Sequence, residues 1–245
     1  MSTLSRAAFA FPALLILALL PPAEAFASTT GSGNVATETR NVASFQAISA
    51  SGAIDVLVKQ GSTQSLQVTA DDKLLPLLET IVESSSEGAT LKVGWKKSSP
   101  SLPRGRVQIN VVMPQLSAVS TAGAGDFRVE SFSTPALKLA VAGAGDIRVQ
   151  GLRTDELAVS VSGAGDVAAS GSATRVRIKI AGSGDVRMAD LKADEVSVTI
   201  AGSGDAVVNA ERKLDVRIAG SGDVSYSGAA TLKTSVAGSG SVKKR

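Results

Sequence analysis

The feature that most constrains this chain is a tetrapeptide it keeps rewriting. AGAGDF, AGAGDI, SGAGDV, AGSGDV, AGSGDA and AGSGDV follow one another from Ala122 onward, and AGSGSV closes the series at Val242. The aspartates of these Gly-x-Gly-Asp units are Asp126, Asp146, Asp166, Asp185, Asp205 and Asp223, with Ser241 in the seventh place. Their separations are 20, 20, 19, 20, 18 and 18 residues. Helical repeats run longer, mostly about 33 residues or more, and leucine-rich repeats need an asparagine and leucine pattern that is missing here. A short period built around glycine points to a β-solenoid.

Side-chain parity supports that reading. Leu137, Leu139 and Val141 alternate with Lys138, Ala140 and Ala142, and the same parity runs through Gly143 and Gly145 into Ile147 and Val149. Val176, Ile178, Ile180, Gly182, Gly184, Val186 and Met188 repeat it. A period of two with β-branched residues on one parity means strands with one buried face. The motif glycines (Gly123, Gly125, Gly143, Gly145, Gly163, Gly165, Gly182, Gly184, Gly202, Gly204, Gly220 and Gly222) therefore fall on the inward parity. They read as corners, where a side chain would collide inside a sharp bend and where glycine permits backbone angles closed to other residues. Each aspartate sits just past its corner, facing out, and can accept hydrogen bonds from nearby backbone N–H groups.

A second bend is expected between units, in the polar stretches GLRTDE (151–156), DLKADE (190–195) and NAERK (209–213). Each coil would then have two strands and two corners. Seven coils stacked about 4.8 Å apart give a rod of about 34 Å. The terminal Lys243-Lys244-Arg245, with the loss of aspartate at Ser241, reads as protection of the last edge.

Upstream the spacing changes but not the kind. ISASGAIDVLVKQG (48–61) is a degenerate first unit, while SLQVTA, TLKVGW and RVQINVVMP read as strands. DDKLLPLLE (71–79) suggests a short helix broken near Pro76, and KKSSPSLPRG (96–105) a loop. Residues 45–114 are thus an irregular β part and 115–245 the regular repeats, with 28–44 as a flexible leader. Residues 1–27 read as a signal peptide: a cationic start, the apolar AAFAFPALLILALLPP, and small residues that place cleavage after Ala25 or Ala27. The apolar run is shorter than the ~20 residues of a bilayer span. The expectation is export, to the periplasm or cell surface, with no membrane insertion of the mature chain.

Absences narrow the chemistry. The chain has no histidine and no cysteine, which removes Ser-His-Asp and Cys-His catalysis and the usual zinc ligands. Its 25 basic residues face 22 acidic ones and are scattered, so nucleic acid is not an expected partner. No Gly-x-Gly has the third glycine of a dinucleotide fingerprint or opens a helix. No cofactor is expected.

The order of these segments resembles a known family. An export signal, then FQAISASGAIDVLVKQGSTQSLQVTADDKLLPLLETIV, then TLKVGW, then repeated AGSGDV units is similar to the auto-transporter adhesin family with a head GIN domain, over about Phe45 to Val242. The resemblance implies an all-β, right-handed, β-helix-like fold, a cell-envelope location and no catalytic residues to transfer. The chain ends inside the solenoid pattern, so no outer-membrane barrel of its own is expected.

Two roles for the aspartate ladder compete. In one, Asp holds its turn and Arg128, Arg148 and Arg187, two residues on, offset the repulsion. In the other, carboxylates in register bind calcium, although calcium-binding glycine repeats run every nine residues. A catalytic site should break the repeat in one place; Trp95-Lys96-Lys97 and Asp71-Asp72 are irregular, but read as loop and capping residues. Beside the ladder lies a strip of small residues (Ala142, Ala144, Ser162, Ala164, Ala181, Ser183, Ala201 and Ser203) that would make a flat face for self-association. The reading is a non-enzymatic, adhesin-like or scaffold protein whose partner is an envelope or extracellular polysaccharide or protein. The alternative is a β-helix that binds or processes carbohydrate.

Overall fold

The computed structural model describes residues 32–86, 88–97 and 105–245. The expected signal peptide lies outside these residues, as does most of the expected loop at 96–105. Among the described residues no helix is long and apolar enough to cross a membrane.

The chain starts with β1 (Val35–Thr39), β2 (Ala47–Gly52), β3 (Ile54–Gln60) and β4 (Ser65–Asp71). A single 3-10 turn, Leu75–Leu77, carries Pro76 and leads into β5 (Leu78–Ser85), β6 (Gly88–Trp95) and β7 (Val107–Met113). Then come β8 (Ala118–Gly123), β9 (Phe127–Glu130), β10 (Ala136–Gly143), and the long strands β11 (Ile147–Gly163), β12 (Val167–Gly182), β13 (Val186–Gly202) and β14 (Ala206–Gly220). The last are β15 (Val224–Ser227), β16 (Thr231–Gly238) and β17 (Val242–Lys244).

From β8 onward every pairing is parallel and each coil repeats the last in register, so that Leu139, Val159, Ile178, Val198 and Val216 stack in one column. The alternation read from the sequence is realised: Val176, Ile178, Ile180, Val186 and Met188 are all at most 2% exposed. One apolar core runs from Phe45 to Tyr226. The fold is an all-β solenoid, stabilised by apolar side chains packed coil on coil.

The coils have three sides, which corrects the expected two. Between successive glycine corners the inward–outward alternation breaks twice, first at Gln150–Gly151 and again at Asp155–Glu156. Ala189–Asp190 and Asp194–Glu195 break it at the equivalent places one coil pair later. Two consecutive outward residues turn a strand, and Gly151 does so at φ 62°. Register shifts also fall at the first of these bends, between Val149 and Leu152 and between Ala168 and Gly171. The bends therefore absorb the variation in repeat length, while the glycine corner and the long side leading into it stay aligned.

The N-terminal part is woven into the same stack. β2 pairs with β8 and β3 with β9, which makes residues 47–60 a solenoid coil. β6 and β7 then pair with the opposite edges of β2 and β3, so a later segment slips beneath an earlier one. Antiparallel β5 follows β6, and antiparallel β4 follows β7. Residues 35–39, expected in a flexible leader, form β1 against β4. Asp71 fastens that strand: its carboxylate accepts the Gly33 N–H at 2.7 Å, the Ser32 hydroxyl at 3.3 Å and the Lys73 N–H at 3.0 Å. Arg40, only 14% exposed at its side chain, donates to the carbonyls of Leu75 and Leu78 and closes the end of the core.

Candidate functional site

The glycines that repeat along the chain stack on one another. A Cβ on Gly145 would lie 2.2 Å from the Gly125 carbonyl oxygen, and one on Gly184 would lie 2.1 Å from that of Gly165. At the first glycine of each unit the backbone is also left-handed, as at Gly182 with φ 147°. Of the two reasons read in the sequence, the backbone angle holds at the first glycine, while the steric one changes. The obstacle is the backbone of the coil below, along the rod, rather than crowding inside the bend. The close approach makes hydrogen bonds: Ala144 and Gly145 both donate their N–H to the Gly123 carbonyl, at 2.8 and 2.9 Å. Beneath the first coil the corner is replaced by a side chain, as Trp95 covers Gly52 with its indole.

The aspartates form a continuous chain of hydrogen bonds. The Asp146 N–H donates to Oδ1 of Asp126 at 3.1 Å, Asp166 to Asp146 at 3.0 Å, and Asp185 to Asp166 at 2.9 Å. Asp205 donates to Asp185 at 3.0 Å and Asp223 to Asp205 at 2.8 Å. Each carboxylate therefore bridges to the next coil instead of closing its own turn. Ser241 ends the series, giving both its N–H and its hydroxyl to Oδ1 of Asp223. The head of the ladder is Asp55, whose Oδ1 accepts the Asp126 N–H at 3.2 Å. Its signal was present in SGAID: Asp55 stands three residues after Gly52, the same offset as in every later unit, with Ile54 in place of the second glycine.

The outer carboxylate oxygens face arginines. Arg148 spans Asp126 and Asp146 at 3.5 and 2.8 Å, and Arg187 spans Asp166 and Asp185 at 2.6 and 2.9 Å. Arg128, expected to act likewise, instead lines a shallow cavity of about 270 Å³ with Asp55, Asp126 and Arg106. Burial raises the Asp166 pKa, but the Asp185 N–H and the Arg187 guanidinium outweigh it and hold the carboxyl below its usual range. The Ser241 hydroxyl and N–H lower Asp223 in the same way. With one oxygen on a backbone N–H and the other on a guanidinium, Asp126, Asp146, Asp166 and Asp185 have their acceptors engaged by the protein. Among the described residues no group of three carboxylates is placed to hold a metal ion.

Asp71 and Asp72 lie far from this ladder, at the β1 end of the rod. The strip of Ala142, Ala144, Ser162, Ala164, Ala181, Ser183, Ala201 and Ser203 is exposed along the edge of the glycine corner.

Stacked parallel coils, glycine corners and a self-paired carboxylate ladder define the class: a parallel β-solenoid whose repeated residues join its coils. The model of the family described as "Putative auto-transporter adhesin, head GIN domain" matches residues 44–230, and the chain belongs to that family. Among solved structures, a "putative adhesin" from Bacteroides fragilis is similar at 26% identity with a TM-score of 0.80, over 88% of this chain and 99% of that one. A "putative lipid binding protein" from Parabacteroides distasonis is similar at 27% identity with a TM-score of 0.72, over 88% of this chain and 98% of that one. A "putative adhesin" from Parabacteroides merdae, at 23% identity and a TM-score of 0.69 over 89% and 99%, shares the fold. No curated protein matches the chain.

Proposed function

We propose that this is an exported, non-enzymatic, adhesin-like binding or scaffold protein of the bacterial cell envelope. The observation that carries the proposal is the unbroken ladder from Asp55 to Ser241. Its repeated polar groups are spent on joining coils, which makes a stiff rod with flat outer faces and an even surface along the regular repeats. Membership of the adhesin family and the likeness to the Bacteroides fragilis protein support the same reading. The test is fractionation of the native cell together with a glycan-array and envelope-protein binding screen. Recovery from the envelope with saturable binding to a surface polymer or protein supports the proposal. A cytoplasmic protein, or turnover of a polysaccharide abolished by one Asp→Asn change, overturns it.

The carbohydrate-binding alternative is favoured by one feature. A shallow groove crosses the bend around Gly151, lined by Gln60, Ser131, Ser133, Arg153 and Ser172. Its hydroxyls and guanidinium could hydrogen-bond a sugar chain lying along the rod.

A further inference from the structure

The long side of the coil, the stretch that leads into the glycine corner, is basic where β12, β13 and β14 lie side by side. Arg175, Arg177 and Lys179 face outward in succession on β12, and Lys213 and Arg217 do so on β14. Three carboxylates share this area and answer only part of the charge. Glu156 of β11 pairs with Arg175 and reaches Arg177 at 3.5 Å, Asp215 pairs with Arg217 at 3.0 Å, and Glu195 lies 3.6 Å from Arg212 at the bend. Lys179 and Lys213 form no ion pair among the described residues.

Between the two basic rows runs β13. Ser197 is flanked by Arg177 and Asp215, and Thr199 by Lys179 and Arg217. Both hydroxyl residues are half-buried and the cations beside them are exposed, so β13 is the floor of a trough whose walls are β12 and β14. A cavity of about 180 Å³ opens over Ser197, lined also by Arg175, Glu195 and Lys213. Neither hydroxyl has a hydrogen-bond partner among the described residues. Lys179 and Arg217 stand two coils apart, about 9.6 Å, which is close to the reach of a charge at physiological ionic strength. Each repels the other, and an anion seated over Thr199 is attracted by both.

The chemistry of the trough selects among polyanions. Single-stranded nucleic acid needs rings for its bases to stack on, and β10 to β14 contain no aromatic residue. A membrane surface is held by apolar side chains sunk among the lipids as well as by charge. The exposed large apolar residues, Val35, Ile81, Leu232 and Val236, lie on β1, β5 and β16 instead. An acidic glycan uses what the trough offers, cations for its carboxylates or sulfates and unpaired hydroxyls for its own hydroxyls.

We propose that the trough along β13 binds an acidic polysaccharide, with its anionic groups on Lys179, Lys213 and Arg217 and its hydroxyls on Ser197 and Thr199. This rests on the binding role proposed above and names a site and a partner class for it.

The test is titration calorimetry of the full chain with alginate, dextran sulfate and neutral dextran, at low and high salt. Saturable binding of an acidic glycan and none of dextran is expected, with affinity falling by about tenfold or more at high salt. Lys179→Glu is expected to weaken binding by about tenfold, and Ser197→Ala combined with Thr199→Val to weaken it at unchanged charge. Lys192→Glu makes the same change of charge on another side of the coil and is expected to leave affinity within about twofold. The circular-dichroism spectrum and melting temperature of each variant should match the wild type, since none of these side chains is buried or paired. Binding of neither acidic glycan, or equal weakening by Lys179→Glu and Lys192→Glu, would overturn the proposal. So would binding to single-stranded DNA, or to vesicles of phosphatidylcholine and phosphatidylglycerol, as tight as to the glycan. Capture of a neutral glycan or an envelope protein in the wider screen, without acidic-glycan binding, would overturn this proposal alone and leave the binding role standing.

Discussion

The N–H of Asp185 donates to Oδ1 of Asp166 at 2.9 Å, although the two residues are 19 positions apart and belong to different coils. The repeated Gly-x-Gly-Asp unit is thus an inter-coil joint. Its glycines let two backbones touch, and its aspartate ties the next coil to the last.

Removing one joint should loosen the stack. Asp166→Ala leaves the Asp185 N–H without its carboxylate and releases Arg187. The expected loss is about 1–2 kcal/mol by urea unfolding. Asp166→Asn keeps an oxygen in place and should lose less. Equal losses for the two would mean that charge, and not the bridging hydrogen bond, is what matters.

A methyl group at the corner should cost more. Gly184→Ala puts a Cβ 2.1 Å from the Gly165 carbonyl oxygen, backbone that no rotamer change can move aside. Destabilisation of about 1–3 kcal/mol, or a failure to fold, is expected. Ala144→Gly, at an exposed position between the motif glycines, should change stability by under about 1 kcal/mol and serves as the control.

Stability should be flat around neutrality and fall in acid. Asp71 is lowered to about 2 from 3.8; burial raises it, and hydrogen bonds from the backbone of Ser32, Gly33 and Lys73, with one from the Asp72 side chain, overcome that effect. Asp166 and Asp223 are lowered as well. A carboxyl whose folded pKa is depressed stabilises the fold above its unfolded pKa, and that contribution disappears as pH falls through the folded value. The melting temperature should therefore decline from just above about pH 4 toward about pH 2. With no histidine in the chain, no step is expected between about pH 5 and 8. A transition centred near about pH 6.5, the ordinary histidine range, would contradict this.

The first strand should depend on one side chain. In Asp71→Ala, β1 loses the acceptor for the Gly33 N–H and the Ser32 hydroxyl, while the pairing of β4 with β7 is untouched. Amide exchange at residues 35–39 should rise by about tenfold or more, with little change at buried core positions such as Ile109 and Val111.

What could be read from the sequence was whatever obeys a period. Alternation fixes which of Val176 to Met188 face inward, and the spacing of the aspartates fixes that coils stack. The two bends at Gln150–Gly151 and Asp155–Glu156 were hidden because GLRTDE has a single large apolar residue, Leu152, too few to show a short third side by alternation, so one bend and two look alike. The direction of the glycine contact was hidden for a related reason: parity says which side of a strand a residue occupies, not that a neighbouring coil presses on it. β1 escaped notice because VATET is small and polar, held by edge pairing and by Asp71 rather than by an apolar face. The slipping of β6 and β7 beneath β2 and β3 is a non-local choice that leaves no local pattern. Asp55 was legible, since it keeps the offset from Gly52.

The central claim is that the ladder aspartates join coils and do not hold a cation. Titration calorimetry of the full chain with calcium, alongside melting curves with and without it, tests this most directly. The account predicts no saturable heat and no shift in melting temperature. Saturable binding that raises the melting temperature and is lost in Asp166→Asn would contradict it.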